Sequence, residues 1–310
     1  MGRVAETGLP TSEFARGGLR LRVGSPPPDL APYISAYYRT EVDPGAVVED
    51  WLPPEEANLR TGTAEVYDAA IGLTALKRAP VSVLSGPTDQ VTRLRIGGGR
   101  FWGIGLTPAG WARFINRRAD EMANRFVDAG ECALQPSLVT MLDTLRRDVD
   151  DMAEAARIIS ATFRPMLDSG HVRERQIKAV HFRIVSEDAT AVAPLADLAG
   201  MTERTFARFC KRHFGFAPGV LLRRQRFLRS LGKYMTDPSL RWVNSLDPNY
   251  WDQAQFIRDF KAIMQMTPSR YAALPHPIVT AAVAVTNAGS GVALQALFHP
   301  ERQRESETGL

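Results

Sequence analysis

Short runs of β-branched and aromatic residues alternate with Pro- and Gly-rich segments over the first 106 residues. The runs Tyr33–Thr40, Val81–Leu84, Val91–Ile96 and Phe101–Leu106 lie between segments such as SPPPD, WLPPEE and SGPTD. Runs of this length with these boundaries predict β-strands. The run Gly97-Gly98-Gly99 lacks the Lys-Ser/Thr pair and the following helix of a phosphate-binding loop, so we interpret it as a turn between two strands.

The pattern becomes helical after residue 106. Thr107-Pro108 is typical of an N-cap followed by a first helical turn, and it predicts a helix through Asn116. From Ser137 to about Glu187 the pattern is again helical, with capping signals at Ser137 and Asp151. Strands followed by helices predict an α+β N-terminal domain, and its boundary is expected between residues 150 and 170.

An internal repeat at an offset of 50 residues organises the C-terminal part of the chain. The recurring pairs are Thr202 and Asp252, Phe206 and Phe256, Arg208 and Arg258, Lys211 and Lys261, and Pro218 and Pro268. Four of these pairs are identical, and the fifth joins two good N-cap residues. The chain therefore contains two copies of one small helical unit.

Each copy predicts a helix with one buried and one exposed face. In the first copy the buried stripe is Phe206, Phe209, Cys210 and His213, opposite Arg204, Arg208 and Lys211, with Ala207 and Arg212 beside them. In the second copy the stripe is Phe256, Phe260 and Ile263, opposite Ala254, Arg258 and Lys261, with Gln255 alongside. A helical core with two solvated faces is the simpler interpretation of either copy alone, but two basic copies that are capped alike favour a binding function.

A shorter helix at Pro194–Ala199 and a turn at Gly200-Met201 precede the first copy, which is the order of a helix-turn-helix. Between the copies, PGVLLRRQRFLRSLGKYM predicts one long helix that begins at Pro218. Two exposed helices held in the same direction about one DNA turn apart, roughly 34 Å, can read two successive major-groove segments.

Charge is unevenly distributed along the chain. The net charge is +4, yet residues 194–274 contain thirteen Arg and Lys against six Asp and Glu, which leaves the other 229 residues at −3. A basic C-terminal segment of this kind indicates an anionic partner such as nucleic acid or a membrane surface.

Several function classes have little support in the sequence. The five His residues are scattered, so no metal-ligand cluster is expected, and no G-x-S-x-G or Cys–His signature is present. The two cysteines, Cys132 and Cys210, are too few for a disulfide framework and fit a reducing compartment. Cys210 lies on a buried stripe, and Cys132 has no activating neighbour. We therefore expect no enzyme activity, no cofactor and no metal.

The C-terminal segment from Ala191 to Leu274, about 85 residues, resembles the AraC/XylS family of bacterial transcription regulators. PLADLAGMTERTFARFCKRHFGFAP is similar to the family's first helix-turn-helix, and LLRRQRF to its linker helix, with Arg223 and Arg226 at recurrent arginine positions. YWDQAQFIRDFKAIMQMTPSRY is similar to the family signature. The N-terminal 150 residues only faintly resemble the cupin-like sensing domains of some members.

The second copy departs from the family pattern at two places. Asn249 stands where the turn glycine is expected, and Asn tolerates a left-handed backbone. The second support helix is expected to end early, at Asp247-Pro248, with Asn244 and Ser245 in place of small apolar residues. The second unit is therefore expected to be looser than the first, or to serve phosphate contacts more than base readout.

The resemblance implies which residues touch DNA. Arg204 and Arg208 would present bidentate donors to guanine, and Ala254 would pack on a thymine methyl group. Gln255 and Arg258 would read base edges, while Lys211, Arg212 and Lys261 would contact phosphate. A salt bridge within its own unit is the alternative role for Arg258. The complete set of expected DNA-binding residues is Arg204, Thr205, Arg208, Lys211, Arg212, Gln253, Ala254, Gln255, Arg258 and Lys261.

The expected fold is therefore α+β with two domains: a β-rich domain over residues 1–170, two helix-turn-helix units joined by a linker helix over 171–274, and a tail of low charge over 275–310. Double-stranded DNA is the expected partner. We also expect a small-molecule effector in the N-terminal domain, where Trp51, Trp102 and Trp111 are either effector contacts or core residues. Further expected partners are a second copy of the chain, bound through the helices of residues 137–187, and RNA polymerase if the protein is an activator. Polar residues interrupt the stretch Ile278–Phe298, so no membrane span is expected. We expect a cytoplasmic protein. The alternatives are a DNA-binding protein without sequence preference and an enzyme that carries an accessory DNA-binding module.

Overall fold

One antiparallel sheet of eight strands forms the N-terminal domain in the computed structural model, which describes residues 11–115, 117–168, 170–186, 189–237, 239 and 242–287. The strands are β1 (Thr11–Arg16), β2 (Leu19–Gly24), β3 (Ile34–Leu52), β4 (Ala57–Ile71), β5 (Lys77–Arg78), β6 (Ser82–Ser85), β7 (Thr92–Leu106) and β8 (Phe126–Asp128). Their order is β1-β2-β3-β7-β4-β6-β8, with β5 paired to β4. The β-rich N-terminal prediction is confirmed, and three long strands, β3, β4 and β7, form the centre of the sheet.

The glycine run at residues 97–99 does not form a turn. It lies inside β7, where Gly97 pairs with Val47 and Val66, and Gly99 pairs with Val42 and Ala64. A Cβ on Gly99 would lie 2.0 Å from the Thr63 carbonyl oxygen, and one on Gly97 would lie 2.7 Å from that of Ala46. The prediction of a turn is wrong because these glycines allow neighbouring backbones to approach closely within one continuous strand.

Twelve helices are described: α1 (Pro108–Phe114), α2 (Ala119–Met122), α3 (Pro136–Asp148), α4 (Met152–Phe163), α5 (Glu174–Val185), α6 (Val192–Leu198), α7 (Glu203–Phe214), α8 (Pro218–Thr236), α9 (Trp242–Ser245), α10 (Gln253–Met264), α11 (Pro268–Ala272) and α12 (Pro277–Asn287). None of these helices is long and apolar enough to cross a membrane. The predicted all-α C-terminal domain with two helix-turn-helix units and a linker helix is confirmed.

The predicted helix starts are confirmed at two positions and wrong at one. Thr107 caps α1 by accepting from the Gly110 N–H, and Asp151 caps α4 by accepting from two backbone N–H groups at 3.0 Å. At α3 the N-cap is Gln135 rather than Ser137, because Pro136 takes the first helical position, where its missing N–H is not needed. Asn116, where the first of these helices was predicted to end, lies outside the described residues.

The two faces of the sheet pack on different partners. One face, with Leu59, Trp102 and Ile104, joins helices α1 to α7 in a hydrophobic cluster that we call the main core. The other face, with Tyr67, Ile96 and Phe101, is covered in part by α12. Trp102 and Trp111 are both buried members of the main core. The main core extends without a break from Leu30 to Leu221, so the first helix-turn-helix unit shares it with the sheet.

A third cluster, the second-unit core, holds the second copy together. It joins Phe227, Leu228 and Leu231 of α8 to buried residues of α10 and α11. Val91 of the sheet domain also belongs to it. The two copies of the repeat therefore belong to separate hydrophobic cores.

Candidate nucleic-acid interface

Helices α7 and α10 share one pattern of buried and exposed positions. Both contain twelve residues, and their order of exposed, partly buried and buried positions is identical at every position over 203–214 and 253–264. Thr202 accepts from the Thr205 N–H at 3.4 Å, and Asp252 accepts from the Gln255 N–H at 2.6 Å. The predicted repeat, its caps and its two buried stripes are confirmed.

The outward faces of both helices carry unpaired cations. Arg204, Arg208, Lys211 and Arg212 are exposed on α7, and Arg258 and Lys261 are exposed on α10. None of these six side chains forms an ion pair with any residue that the structure describes, so the alternative role of Arg258 in a salt bridge does not occur there. Gln253 and Ala254 are exposed beside them. Side chains that are charged and unpaired in the free protein are available to an anionic partner.

Two of the expected contact residues are engaged within the protein. The Thr202 hydroxyl donates to the Thr205 hydroxyl at 3.1 Å, and Gln255 Oε1 accepts from the Trp251 N–H at 3.0 Å. Thr205 and Gln255 are also partly buried. Both side chains therefore stabilise the start of a helix, as in a capping box.

Sequence reasoning missed Trp251 as a candidate contact residue. Its side chain is 94% exposed, immediately before the Asp252 cap of α10. An aromatic residue at this place in the family signature suggests a side chain that packs in the core. The local periodicity does not show whether the side chain of Trp251 is buried or exposed. Only the packing of Tyr250 against Phe256, with ring centroids 5.4 Å apart, shows which of the two neighbouring aromatics faces inward.

The second support helix is short, as predicted, and a polar cluster follows it. Helix α9 contains four residues, against seven in α6. Asp247 then forms a buried ion pair with Arg229, accepts from the Asn249 N–H at 2.9 Å, and donates its own N–H to Ser230 at 2.8 Å. Asn249 does not take the predicted left-handed conformation. The Asp247 side chain forms the turn instead.

The linker helix α8 holds the second unit through a further ion pair. Arg226 of α8 donates to Asp259 of α10 at 2.8 Å, and its guanidinium lies 4.5 Å from the ring centroid of Tyr250. Because both partners are partly buried, this contact fixes the orientation of α10 relative to α8 more than an exposed pair would.

Two family models match separate parts of the sequence. Residues 195–273 match a helix-turn-helix domain, and residues 22–128 match a domain of unknown function, DUF6597. The first match covers both copies of the repeat and the helix between them. Residues 195–273 are an AraC-type helix-turn-helix domain. Such domains bind DNA in transcription regulators, so the chain is a DNA-binding transcription regulator.

Structures of ToxT from Vibrio cholerae resemble most of the chain weakly. One covers 83% of this chain and 98% of its own, at 11% identity and a TM-score of 0.41. Another, with bound (E)-4-(8-methylnaphthalen-1-yl)but-3-enoic acid, has the same coverage, 12% identity and a TM-score of 0.41. No curated protein matches the sequence.

Polar contacts join the AraC-type domain to two loops of the sheet domain. The Val91 N–H donates to the Ile263 carbonyl of α10 at 2.8 Å, and Arg224 of α8 donates to the Thr88 carbonyl at 3.1 Å. His181 of α5 contacts Glu56 at 2.6 Å. The sheet domain therefore contacts both the linker helix and the second unit directly.

The two cysteines are free and buried. Burial raises the pKa of Cys210 to about 12 and also raises the pKa of Cys132. A thiol with a raised pKa is rarely a thiolate at neutral pH and is a poor nucleophile.

His213 makes the stability of the first unit depend on pH. Its side chain is 7% exposed on the buried stripe of α7, and its pKa is lowered to about 4 by burial, with smaller effects of His171 and Arg212. A His in the unfolded chain titrates near pH 6.5, and each unit of difference between the native and unfolded pKa corresponds to about 1.4 kcal/mol of folding free energy. Between these two pH values the unfolded chain therefore binds a proton that the native chain excludes.

We expect the free energy of unfolding to fall as the pH is lowered from 6.5 towards 4, with His213 contributing a slope of up to about 1.4 kcal/mol per pH unit. His213→Leu removes that contribution, while above pH 7.5 the variant differs from the wild type only by a constant. Urea denaturation at a series of pH values measures both slopes. Parallel curves for the two proteins between pH 4 and 6.5 would contradict the assignment.

Proposed function

We propose that this regulator reads two successive major-groove segments of double-stranded DNA, one with α7 and one with α10, and that a small molecule controls it through the sheet domain. The observation that carries the first part is that both helices share one burial pattern and expose cations that form no ion pair with any described residue. A single basic helix is common on protein surfaces, whereas two such helices on one linker match the repeat of a DNA duplex.

The length of the linker supports this geometry. Helix α8 contains 19 residues, and at 1.5 Å per residue it is about 28 Å long. One turn of DNA rises about 34 Å. The ion pairs of Arg226 and Arg229 hold the second unit against this helix, so the spacing is set by helix length rather than by a flexible loop.

The exposed side chains divide into two roles. Arg204, Arg208 and Arg258 would donate to base edges, and Ala254, beside Gln253 and Trp251, would offer an apolar contact to a thymine methyl group. Lys211, Arg212 and Lys261, one turn further along each helix, would contact phosphate. Binding is then strongly salt-dependent, because each neutralised phosphate releases counterions.

The remaining partners and boundaries belong to the same proposal. A second copy of the chain would pair through the helices of residues 137–187, RNA polymerase would be contacted by an activator, and a DNA-bound regulator of this kind works in the cytoplasm. The division at residues 170/171 and 274/275 stays a prediction. Analytical ultracentrifugation of the full chain with and without DNA tests the dimer.

Selection of sites from a random duplex pool at near-physiological salt tests the function. We expect a bipartite motif, with Arg204→Ala relaxing one half and Arg258→Ala the other, each at a cost of about 1–3 kcal/mol. The matched control is Arg95→Ala on β7, whose side chain is 47% exposed and only loosely paired with Asp68, at 3.8 Å. That variant should select the wild-type motif.

Two other results would be informative. Loss of information only in the Arg204 half would mean that the second unit contacts phosphate and reads little sequence. No enriched motif, with binding that weakens as the salt concentration rises, would contradict sequence-specific reading and favour a DNA-binding protein without sequence preference.

A further inference from the structure

A cavity lies between the sheet and α12, the helix that follows the AraC-type domain. Its volume is about 90 Å³. The sheet contributes mainly apolar walls, including Leu21, Leu94 and Phe101, and α12 contributes Ile278, Val279 and Ala282. Helix α12 lies outside both family matches, since these end at residues 128 and 273. The cavity is therefore closed by a segment that does not belong to the DNA-binding module.

The polar end of the cavity is already electrically neutral. Arg60 donates to Glu55 at 2.6 Å, to the Tyr38 hydroxyl at 2.9 Å and to Ser85 at 3.0 Å. The guanidinium thus has a carboxylate partner before any ligand arrives. An anionic ligand would have to displace Glu55 or remain an unpaired buried charge, and both cost several kcal/mol. A neutral ligand meets neither cost.

Two side chains of the lining hold a polar group without a hydrogen-bond partner among the described residues: Trp102, through its Nε1, and Tyr67. Tyr67 lines the cavity, and its hydroxyl makes no hydrogen bond to any residue in the described part of the chain. Burial raises the pKa of Tyr67 to about 12, so the hydroxyl keeps its proton. A ligand with one hydroxyl or carbonyl group could accept that hydrogen bond while its apolar part contacts Leu94 and Phe101.

A side chain of the sheet, Asp50, caps the N-terminus of α12 although the two are far apart in the sequence. Asp50 of β3 is fully buried, and its Oδ2 accepts from the backbone N–H groups of Ile278 and Val279 at 2.8 and 3.0 Å. Its Oδ1 faces His276 Nδ1 at 3.1 Å. A carboxylate at the first turn of a helix also interacts favourably with the helix dipole. Helix α12 therefore begins at a fixed point on the wall of the cavity.

The same contact leads to the second DNA-binding unit. The other ring nitrogen of His276 contacts the Tyr271 carbonyl at 2.7 Å, and its ring stacks on Tyr271 at 3.8 Å between centroids. Tyr271 is fully buried, and its ring centroid lies 5.7 Å from that of Phe260 in α10. A movement of α12 relative to the sheet therefore changes the packing beneath the second unit.

We propose that this cavity binds a small neutral molecule, mainly apolar with one hydrogen-bonding group, and that α12 transmits its presence to the second helix-turn-helix unit. The part concerning DNA rests on the function proposed above. A ligand in the cavity contacts both the sheet and α12, so it binds the state in which α12 is docked and shifts the population towards that state.

The first experiment uses 4-methylphenol as the probe, with 4-methylbenzoate as its anionic counterpart of similar shape. We expect 4-methylphenol at about ten times its Kd to raise the Tm by about 2–4 °C. It should also slow hydrogen exchange of the backbone amides of residues 278–285. The benzoate should do neither. An equal response to both compounds would overturn the assignment to a neutral ligand.

Two variants of α12 locate the site. Ala282→Phe fills the cavity and should abolish the response to 4-methylphenol. Thr280→Phe places the same ring on the exposed side of α12 and should keep the response. Leu94→Ala enlarges the cavity and should strengthen the binding. If neither the wild type nor Leu94→Ala responds, or if Ala282→Phe responds like Thr280→Phe, the site is not this cavity.

These assays contain no DNA, so they test the small-molecule control proposed above independently of the proposed reading of DNA. The transmission is tested separately, by measuring the affinity for the selected DNA site with and without 4-methylphenol in wild type and in Ala282→Phe. We expect a change of at least threefold in the wild type only, confined to DNA that retains the half read by α10. Binding of the probe without any change in DNA affinity would contradict the role of α12.

Discussion

Asp50→Asn should lower the free energy of unfolding by about 3 kcal/mol, because it replaces a buried acceptor that serves charge-assisted hydrogen bonds to α12. In the wild type, Asp50 Oδ1 also accepts a hydrogen bond from the Trp51 N–H at 2.7 Å. Asn has only one acceptor oxygen, so its NH₂ group must face either the two backbone N–H groups of α12 or the N–H of Trp51. The urea denaturation midpoint measures the loss. Hydrogen exchange at Ile278 and Val279, which should become fast, shows that it arises at α12.

Glu49→Gln is the matched control for this substitution. Glu49 is the neighbouring residue on β3, is 41% exposed, and approaches Arg93 only to 3.9 Å. An exposed pair of this kind contributes little to stability, so the variant should remain within about 0.5 kcal/mol of the wild type. If Asp50→Asn were as stable as Glu49→Gln, the carboxylate would not be what holds α12 on the sheet.

Phe256→Ala and Phe206→Ala should each cost about 3–5 kcal/mol, as is usual for a buried Phe, but in different parts of the molecule. Both side chains are fully buried at equivalent positions of the repeat. Phe256 belongs to the second-unit core and Phe206 to the main core. Phe256→Ala should therefore open the second unit, and Phe206→Ala should destabilise the sheet domain together with the first unit.

Differential scanning calorimetry and site selection distinguish the two outcomes. For Phe256→Ala we expect the main unfolding transition to persist and the half-site read by Arg258 to disappear from the selected motif. For Phe206→Ala we expect the main transition itself to shift to lower temperature. Equal effects of the two variants on both measurements would mean that the two cores unfold as one cooperative unit.

The DNA-binding domain could be predicted from the sequence because its signals are local. Helix periodicity and the caps at Thr202 and Asp252 lie within segments of fewer than 20 residues, and each has a direct physical meaning. The repeat consists of two such short segments that are 50 residues apart. The exposed faces followed from the same periodicity. The role of Asp247 in forming the second turn did not, because it depends on Arg229 and Ser230, which lie on another helix.

The sheet was harder to predict. Strand β4 escaped detection because ANLRTGTAEVYDAAI mixes small, charged and apolar residues without a clear alternation, and the sheet buries residues on both of its faces. The three glycines of β7 suggested a turn because the property they provide, close approach to β3 and β4, involves residues more than 30 positions away. The contact between Asp50 and His276 spans 226 residues, and no local pattern contains it.

The position of α12 also sets the order in which the chain can fold. This helix covers residues of β1, β2 and β3, which leave the ribosome long before it does. The 181 residues between Leu106 and Asn287 take roughly 10 to 40 s to synthesise at 5–20 residues per second. During that time an apolar face of the sheet remains uncovered, open to chaperones and to aggregation. Completion of the N-terminal domain therefore waits for α12, the last helix that the structure describes.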